Sequence, residues 1–454
     1  MDFLVTLIDG INDILWGPPM IILLTGTHVW MTWKTGFMQK YIFKGIRLSV
    51  SKDPDAEGDI TPFGALATAL ASTIGTGNII GVATAIVSGG PGAVFWTWIV
   101  GVFGIATKYA ESLIAIKYRK KMPDGSYIGG AMTALEHLNL KSLGIAFAVI
   151  AGLCSFGIGC GVQSNAIADI LKHNYQVPVM ISGIVIAALT ALVVLGGVRS
   201  ISKVCELLVP FMSLFYFLGC GYILYYNRAY LGETVSLIIS SAFTPRAAFG
   251  GFVGSTLMVA ARYGIARGLF SNESGMGSAP IVAAASQTRN SVRTALISST
   301  GVFWDTVIVC LMTGLVLCSS VVANDAITSV GLDGGQLASL AFAQIPVIGT
   351  PLLVFGVITF AFSTILGWNY YGERCMVYLF GEKSAVPYKV LWVIVTFVGA
   401  VANLSLVWKI SDALNALMAI PNLIAVLLLS KLIVKETKYY LHESRLDERD
   451  VELN

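Results

Sequence analysis

The sequence predicts an all-α integral membrane protein of about eleven transmembrane helices, each near the 20-residue length that crosses a bilayer. Three observations predict it. Hydrophobic residues make up 56% of the 454-residue chain and charged residues only 12%, with a mean hydropathy of +0.76; a soluble domain carries about a quarter charged residues. Lysine and arginine recur in every second loop. Two apolar stretches are interrupted at their centres by a Gly-x-Gly pair set among small polar residues.

The first span is expected at 18–33. Ten more follow at 62–87, 93–118, 143–171, 179–195, 204–226, 249–285, 295–320, 351–380, 390–408 and 412–434. The loop after the first carries Lys34, Lys40, Lys44, Arg47 and Lys52, and the loop after the third carries Lys117, Arg119, Lys120, Lys121 and Lys141. Arg199 and Lys203, then Arg289 and Arg293, then Arg374, Lys383 and Lys389 continue the alternation, and Lys431, Lys435 and Lys438 lead into the tail. The intervening loops hold only Lys172, Arg228 with Arg246, and Lys409. Basic loops stay inside, so the N-terminus is expected outside and the C-terminus in the cytoplasm. The outer loop 321–349 is polar and turn-rich, with Asn324, Asp325, Asp333, Gly334 and Gly335, and a short helix is expected near 336–344. The tail from Lys435 is expected to be a frayed cytoplasmic helix.

Several classes are disfavoured. A net charge of +3, scattered over short loops, offers no patch for nucleic acid. The seven cysteines lack CxxC spacing and read as small buried hydrophobes. Asp2, Asp9 and Asp13 replace the basic region of a cleavable signal peptide. No HExxH, GxSxG or Walker string is present, and the glycines after Ser72 lack dinucleotide spacing. The chain is expected to be no enzyme and to need no cofactor.

The two interruptions read STIGTGN, Ser72 to Asn78, and FSNESGMGS, Phe270 to Ser278. Glycines alone would serve close helix packing. Polar side chains beside them are costly at mid-membrane unless they face a cavity or partner. The stretch 249–285 would also measure roughly 55 Å as one straight helix, against a hydrocarbon core of about 30 Å. Broken helices resolve both problems. With the first span set aside, the breaks fall in the first and sixth of ten helices, the place expected in two five-helix inverted repeats. Residues 1–60 then hold the extra helix and a linker, 61–240 the first repeat, 241–434 the second and 435–454 the tail. Amides opening one half-helix attract an anion and carbonyls closing another attract a cation. A zwitterionic amino acid fits that pairing better than a sugar or a lone ion.

The string GGPGAVFWTWIVGVFG, Gly89 to Gly104, resembles the signature of the alanine/glycine:cation symporter family, also called the sodium:alanine symporters. STIGTGN and NESGMGSAP are similar to strings of the same family. Thr97 stands where that family usually has Met. The resemblance implies a LeuT-like fold and symport of alanine or glycine with sodium, or with protons, across the cell membrane. It implies that the amides of Gly75, Thr76 and Gly77 take the substrate carboxylate, and that the carbonyls of Thr73, Phe270 and Ser271 take the amine. It also implies a sodium site at the carbonyls of Ala71, Ile74 and Phe360 with the hydroxyls of Ser363 and Thr364. A second sodium site falls near Thr73, Asn78 and Ser271.

Around the second break, Asn272, Glu273, Gly275 and Met276 join the substrate candidates. Glu273 either faces the amine or braces the break. Asp305 reads as a satisfied internal carboxylate, Lys108 and Glu111 as a helical pair, and Arg262 and Arg267 as structural or cavity-lining. Gln163 and Asn165 are expected to reach the pocket. Trp368, four residues after Thr364, is expected to wall it and limit substrate size.

Overall fold

The computed structural model describes residues 2–51, 56–244, 251–252, 254–324, 326–402 and 405–450. Lys52, Arg246, Asp325 and the first residues of the expected 249–285 span lie outside them. The helices are α1 (Asp2–Leu15), α2 (Pro18–Lys34), α3 (Ile42–Ser49), α4 (Pro62–Thr73), α5 (Gly77–Gly89), α6 (Gly92–Lys117), α7 (Ala131–His137), α8 (Lys141–Tyr175), α9 (Val179–Val194) and α10 (Gly197–Tyr226). They continue as α11 (Leu231–Phe243), α12 (Leu257–Asn272), α13 (Pro280–Ala283), α14 (Ser291–Ala323), α15 (Gly334–Ala343), α16 (Gly349–Phe380), α17 (Ala385–Val401), α18 (Ser405–Leu428) and α19 (Ser430–Glu436). One two-stranded turn pairs Lys120–Lys121 with Tyr127–Ile128.

Among the described residues, eight helices are long and apolar enough to cross a membrane, or nine with the bent pair α4–α5 as one span. The expectation of eleven also included α9, a 16-residue helix, and α12, which ends after 16 residues at a break. Outer helices turn large apolar side chains away from the protein: Leu192 and Leu207 are 77% and 78% exposed, as suits a lipid-facing surface.

Three expected boundaries need correction. The span drawn at 390–408 ends at Val401, because Ala402 turns to an extended conformation (φ −86°, ψ 156°). Trp408 therefore belongs to α18, which stops at Leu428 rather than running to 434. The apolar sequence is nearly continuous across that turn, so composition could not place it. Leu231–Phe243, expected as loop, is a 13-residue helix. The described part of the tail, up to Asp450, packs back on the protein. Lys117 pairs with Glu436 at 2.9 Å and Arg293 with Asp447 at 2.6 Å, and Asn290 donates to the carbonyls of Leu446 and Glu448 at 2.9 and 2.8 Å.

The buried centre is α6, which carries the GGPGAVFWTWIVGVFG string from its fourth residue, Gly92, onward and packs on α12 and α14. Its contact with α12 is backbone-close. A side chain at Gly264 would begin 2.4 Å from the Ala93 carbonyl oxygen, and one at Gly268 would begin 2.6 Å from Val100. The Thr97 hydroxyl donates to the Gly264 carbonyl at 2.9 Å, and Trp96 Nε1 donates to Ala242 at 3.1 Å. The signature helix is thus the wall against which the second broken helix is set.

Candidate functional site

Helix α4 stops at Thr73, Ile74 leaves helical geometry (φ −75°, ψ 89°), and α5 resumes at Gly77 with a bend of 51°. The backbone freed there is met by side chains. Gly75 N donates to Asn78 Oδ1 at 2.9 Å and Thr76 N donates to Gln163 Oε1 at 3.3 Å. Asn78 Nδ2 donates to Asp305 Oδ1 at 2.7 Å, while Ser271 and Thr306 donate to Asp305 Oδ2 at 2.8 and 2.6 Å. Asp305 therefore ties the first break to the residues that precede the second. Asn78, Ile158 (which accepts from Gln163 Nε2 at 3.0 Å) and Asp305 all lie in widened i→i+5 turns; such turns gather at functional sites.

Below Gly75 five oxygens converge. The Ser363 hydroxyl lies 3.1, 3.4 and 2.9 Å from the carbonyl oxygens of Ala71, Ile74 and Phe360. The Thr364 hydroxyl lies 3.1, 3.5 and 3.0 Å from the same three. Both side chains are buried. Two of the carbonyls belong to the interrupted end of α4, where helical partners run out. Three carbonyls and two hydroxyls around one point form an oxygen-only donor set of the kind that suits a hard cation. Gly75 closes one side: a Cβ there would sit 2.5 Å from Thr364 Oγ1. Ser72 and Thr73, by contrast, bond back to the preceding turn at Thr68 and Ala69, so their polarity is satisfied within the helix.

The second break is built differently. Glu273, Gly275 and Gly277 all have positive φ, at 55°, 84° and 79°, a region that glycine enters readily and other residues seldom do. The loop is held from α6. Glu111 Oε2 accepts from Gly275 N at 3.1 Å, Gly277 N at 3.2 Å and Asn422 Nδ2 at 2.7 Å. Lys108 pairs with Glu111 at 3.1 Å and donates to the Glu273 carbonyl at 3.0 Å. Asn272 caps Ser274 N at 2.9 Å. The Glu273 carboxylate accepts from Ser278 and from Trp368 Nε1, the latter at 2.9 Å. Met276 is fully buried.

Trp368 is 1% exposed and braces the second break through Glu273. Lys108 and Glu111 do pair, but Glu111 also holds the backbone of α12's end. Sequence reading missed that second role and missed Asn422 entirely. The available signal was two charges three residues apart in a strongly apolar helix, which seldom occurs without a partner outside that helix.

A cavity of about 920 Å³ opens above the first break. Gly77 and Phe270 line it at the first break, together with Asn165, Asp169, Arg267, Trp408 and Asp412. Helix α15, near the expected 336–344, forms part of its rim, with Asp333 and Gln336 capping each other at its start. Across the cavity Arg267 lies 3.6 Å from Asp412 and the rings of Phe270 and Trp408 stack at 6.3 Å. Phe270 also touches the first break, its Cδ1 lying 3.2 Å from where a Cβ of Gly77 would be. The predicted residues therefore fall into two groups. Thr73, Gly75, Thr76, Gly77, Asn78, Gln163, Phe270 and Ser271 gather at the first break, and Asn272, Glu273, Gly275, Met276 and Trp368 at the second.

Two interrupted helices side by side, with an oxygen cluster at the end of one and an open cavity above, define a membrane transporter of the LeuT-like fold. The chain belongs to the sodium:alanine symporter family, whose model matches residues 1–453. It is 47% identical over 449 residues to the sodium/alanine symporter AgcS of Methanococcus maripaludis, with 97% of this chain and 98% of that protein covered. Its structure is similar to that of MhsT in complex with L-phenylalanine, with a TM-score of 0.54 and 14% identity over 84% of this chain and 99% of that one. It is also similar to a substrate-bound, outward-open Na+-coupled sialic acid symporter, with a TM-score of 0.56 and 14% identity over 91% and 87%. These last two establish the fold alone. The family is one of cation-coupled amino-acid symporters and not of enzymes.

Proposed function

We propose that this chain is a secondary active symporter that carries alanine and glycine into the cell with sodium by alternating access. The observation that carries the reading is the five-oxygen cluster of Ala71, Ile74, Phe360, Ser363 and Thr364 directly against Gly75. Sodium at this point takes the place of the two hydroxyl protons as the partner of three carbonyls. Filling it fixes the end of α4 and with it the amides of Gly75 and Thr76. The substrate carboxylate then replaces Asn78 Oδ1 and Gln163 Oε1 on those amides, and the carbonyls of Thr73, Phe270 and Ser271 receive the amine. A second cation is assigned near Thr73, Asn78 and Ser271, where the Asp305 carboxylate supplies charge. Ring stacking of Phe270 on Trp408 and pairing of Arg267 with Asp412 stand between the substrate and the open cavity.

The division into two inverted five-helix repeats, an outside N-terminus, a cytoplasmic C-terminus and residence in the cell membrane belong to the same reading; the alternating basic loops support it. The test is uptake of labelled alanine into proteoliposomes under imposed gradients. A sodium gradient should drive accumulation, with saturation and counterflow, and glycine should compete while leucine and phenylalanine compete poorly. Accumulation driven by a proton gradient without sodium would reassign the coupling ion, and flux without counterflow would make the protein a channel.

A further inference from the structure

Helix α1 contacts two of the helices that line the cavity, α12 and α18. Asp13 on α1 pairs with Arg262 on α12 at 2.6 Å, and Asp9 pairs with Lys409 on α18 at 2.6 Å. Asn12 Nδ2 donates to the Lys409 carbonyl at 2.8 Å, and Trp16 Nε1 donates to the Asp412 carbonyl at 3.1 Å. Residues 9, 12, 13 and 16 follow the i, i+3, i+4, i+7 spacing of a single helix face. Leu7, Ile11 and Ile14 lie on another face and are exposed. Helices α12 and α18 are also the two that carry the closing contacts, Arg267 with Asp412 and Phe270 with Trp408.

We infer that α1 is a clamp on the cavity mouth, in which Asp9 and Asp13 are positioning residues that hold α12 and α18 near enough for those contacts to form. The inference rests on the proposed role of the cavity as the substrate's route. A helix of 14 residues with one anchor on each neighbour fixes their separation at that end. Both ion pairs are partly exposed, with Asp13 at 69% and Asp9 at 47% of full side-chain exposure, so each contributes little alone. Weak anchors suit the task, because a mouth that must open in every cycle is served by contacts that exchange readily. Nothing in the substrate and cation chemistry of the two breaks requires acidic residues at positions 9 and 13.

The experiment uses Ala166→Cys, a small change on the cavity wall; the seven native cysteines are all buried and form a quiet background. Its reaction with a water-soluble, membrane-impermeant maleimide is timed in the parent and in Asp9→Ala with Asp13→Ala. Loss of both anchors should raise the labelling rate by about twofold to tenfold, the effect of two exposed pairs. The exchanged pair Asp13→Arg with Arg262→Asp should label close to the parent rate, since the attraction is kept with its polarity reversed. An unchanged rate in the double alanine variant overturns the clamp. So does a raised rate that the exchanged pair shares, because the change then reflects damage to the fold. Absence of sodium-driven alanine uptake by the Ala166→Cys parent, with wild type equally inactive, would remove the transport reading and leave the labelling comparison as a statement about the mouth alone.

Discussion

At the first break the freed amides of Gly75 and Thr76 are met by neutral side chains, Asn78 and Gln163, and the carbonyls of Ala71 and Ile74 by two hydroxyls. At the second, the amides of Gly275 and Gly277 are met by the carboxylate of Glu111, itself paired with Lys108 and bound to Asn422. The two carry the same Gly-x-Gly pattern and the same physical problem, backbone groups without helical partners in a membrane. They solve it with partners of different strength. Neutral groups give an arrangement that a carboxylate or a cation can replace at small cost. A buried carboxylate with three donors and its own ammonium partner is expensive to dismantle. On the proposed reading the amides of Gly75 and Thr76 are the exchangeable groups, in a first break anchored through Asn78 and Ser271 to Asp305, and the second break is the frame against which they work.

That difference predicts its largest effect at Glu111. Glu111→Ala leaves Lys108 buried without its partner and two backbone amides unmet, a loss of about 3–5 kcal/mol by analogy with broken buried pairs. The detergent-solubilised protein should lose most of its thermal stability. Glu111→Gln retains an acceptor for the amides and should fall between. A melting temperature within a degree or two of wild type for Glu111→Ala would erase the distinction between the breaks.

Gly77→Val comes next, and it acts on the other side of the comparison. Phe270 lies 3.2 Å from the first added carbon, and a β-branched residue adds two more atoms towards it. The protein should reach the membrane and keep most of its stability, because the Glu111 frame is untouched. Alanine binding should collapse, measured as lost protection or lost uptake at matched expression. Normal affinity in this variant would mean that Gly77 only packs.

Removing the two hydroxyls is a smaller change. Ser363→Ala with Thr364→Ala leaves three carbonyls where five oxygens stood. The sodium concentration for half-maximal uptake should rise by roughly tenfold or more, about 1.4 kcal/mol or above. Thr364→Ser keeps the oxygen and should move it far less. Ser363 and Thr364 also bond back to Phe360 within their own helix, as membrane serines and threonines often do. If that bond is their whole role, both variants will show wild-type sodium dependence.

Much of this was legible in the sequence because its causes are local. Gly-x-Gly among polar residues in an apolar run marks a break wherever it occurs, and residues 75–77 and 275–277 both break. Ser363 and Thr364 follow Phe360 by three and four positions, so one turn presents their oxygens together. The partners of the second break were not legible. Glu111 and Asn422 lie 164 and 147 residues from Gly275, and no spacing rule joins them. Trp368 shows the same limit in reverse. Its place one turn after Thr364 is real, but which neighbour its indole meets depends on how α16 packs beside the break.

Trp368→Phe therefore sharpens the comparison with the smallest expected effect. The change keeps an aromatic ring and removes Nε1, which donates to Glu273 Oε1 at 2.9 Å. Ser278 remains on the other carboxylate oxygen. A lost hydrogen bond to a charged, buried acceptor costs about 1–3 kcal/mol, so thermal stability should fall measurably but by less than in Glu111→Ala. Sodium dependence should stay put, because the hydroxyls of Ser363 and Thr364 are untouched. The informative readout is competition by larger amino acids. If Trp368 belongs to the fixed frame, leucine should remain as poor a competitor of alanine uptake as it is for wild type. If the indole walls the substrate instead, trimming it to a phenyl ring enlarges the pocket, and leucine competition should rise with little loss of stability. Only the first result keeps Trp368 with Glu111 and Asn422 on the second break.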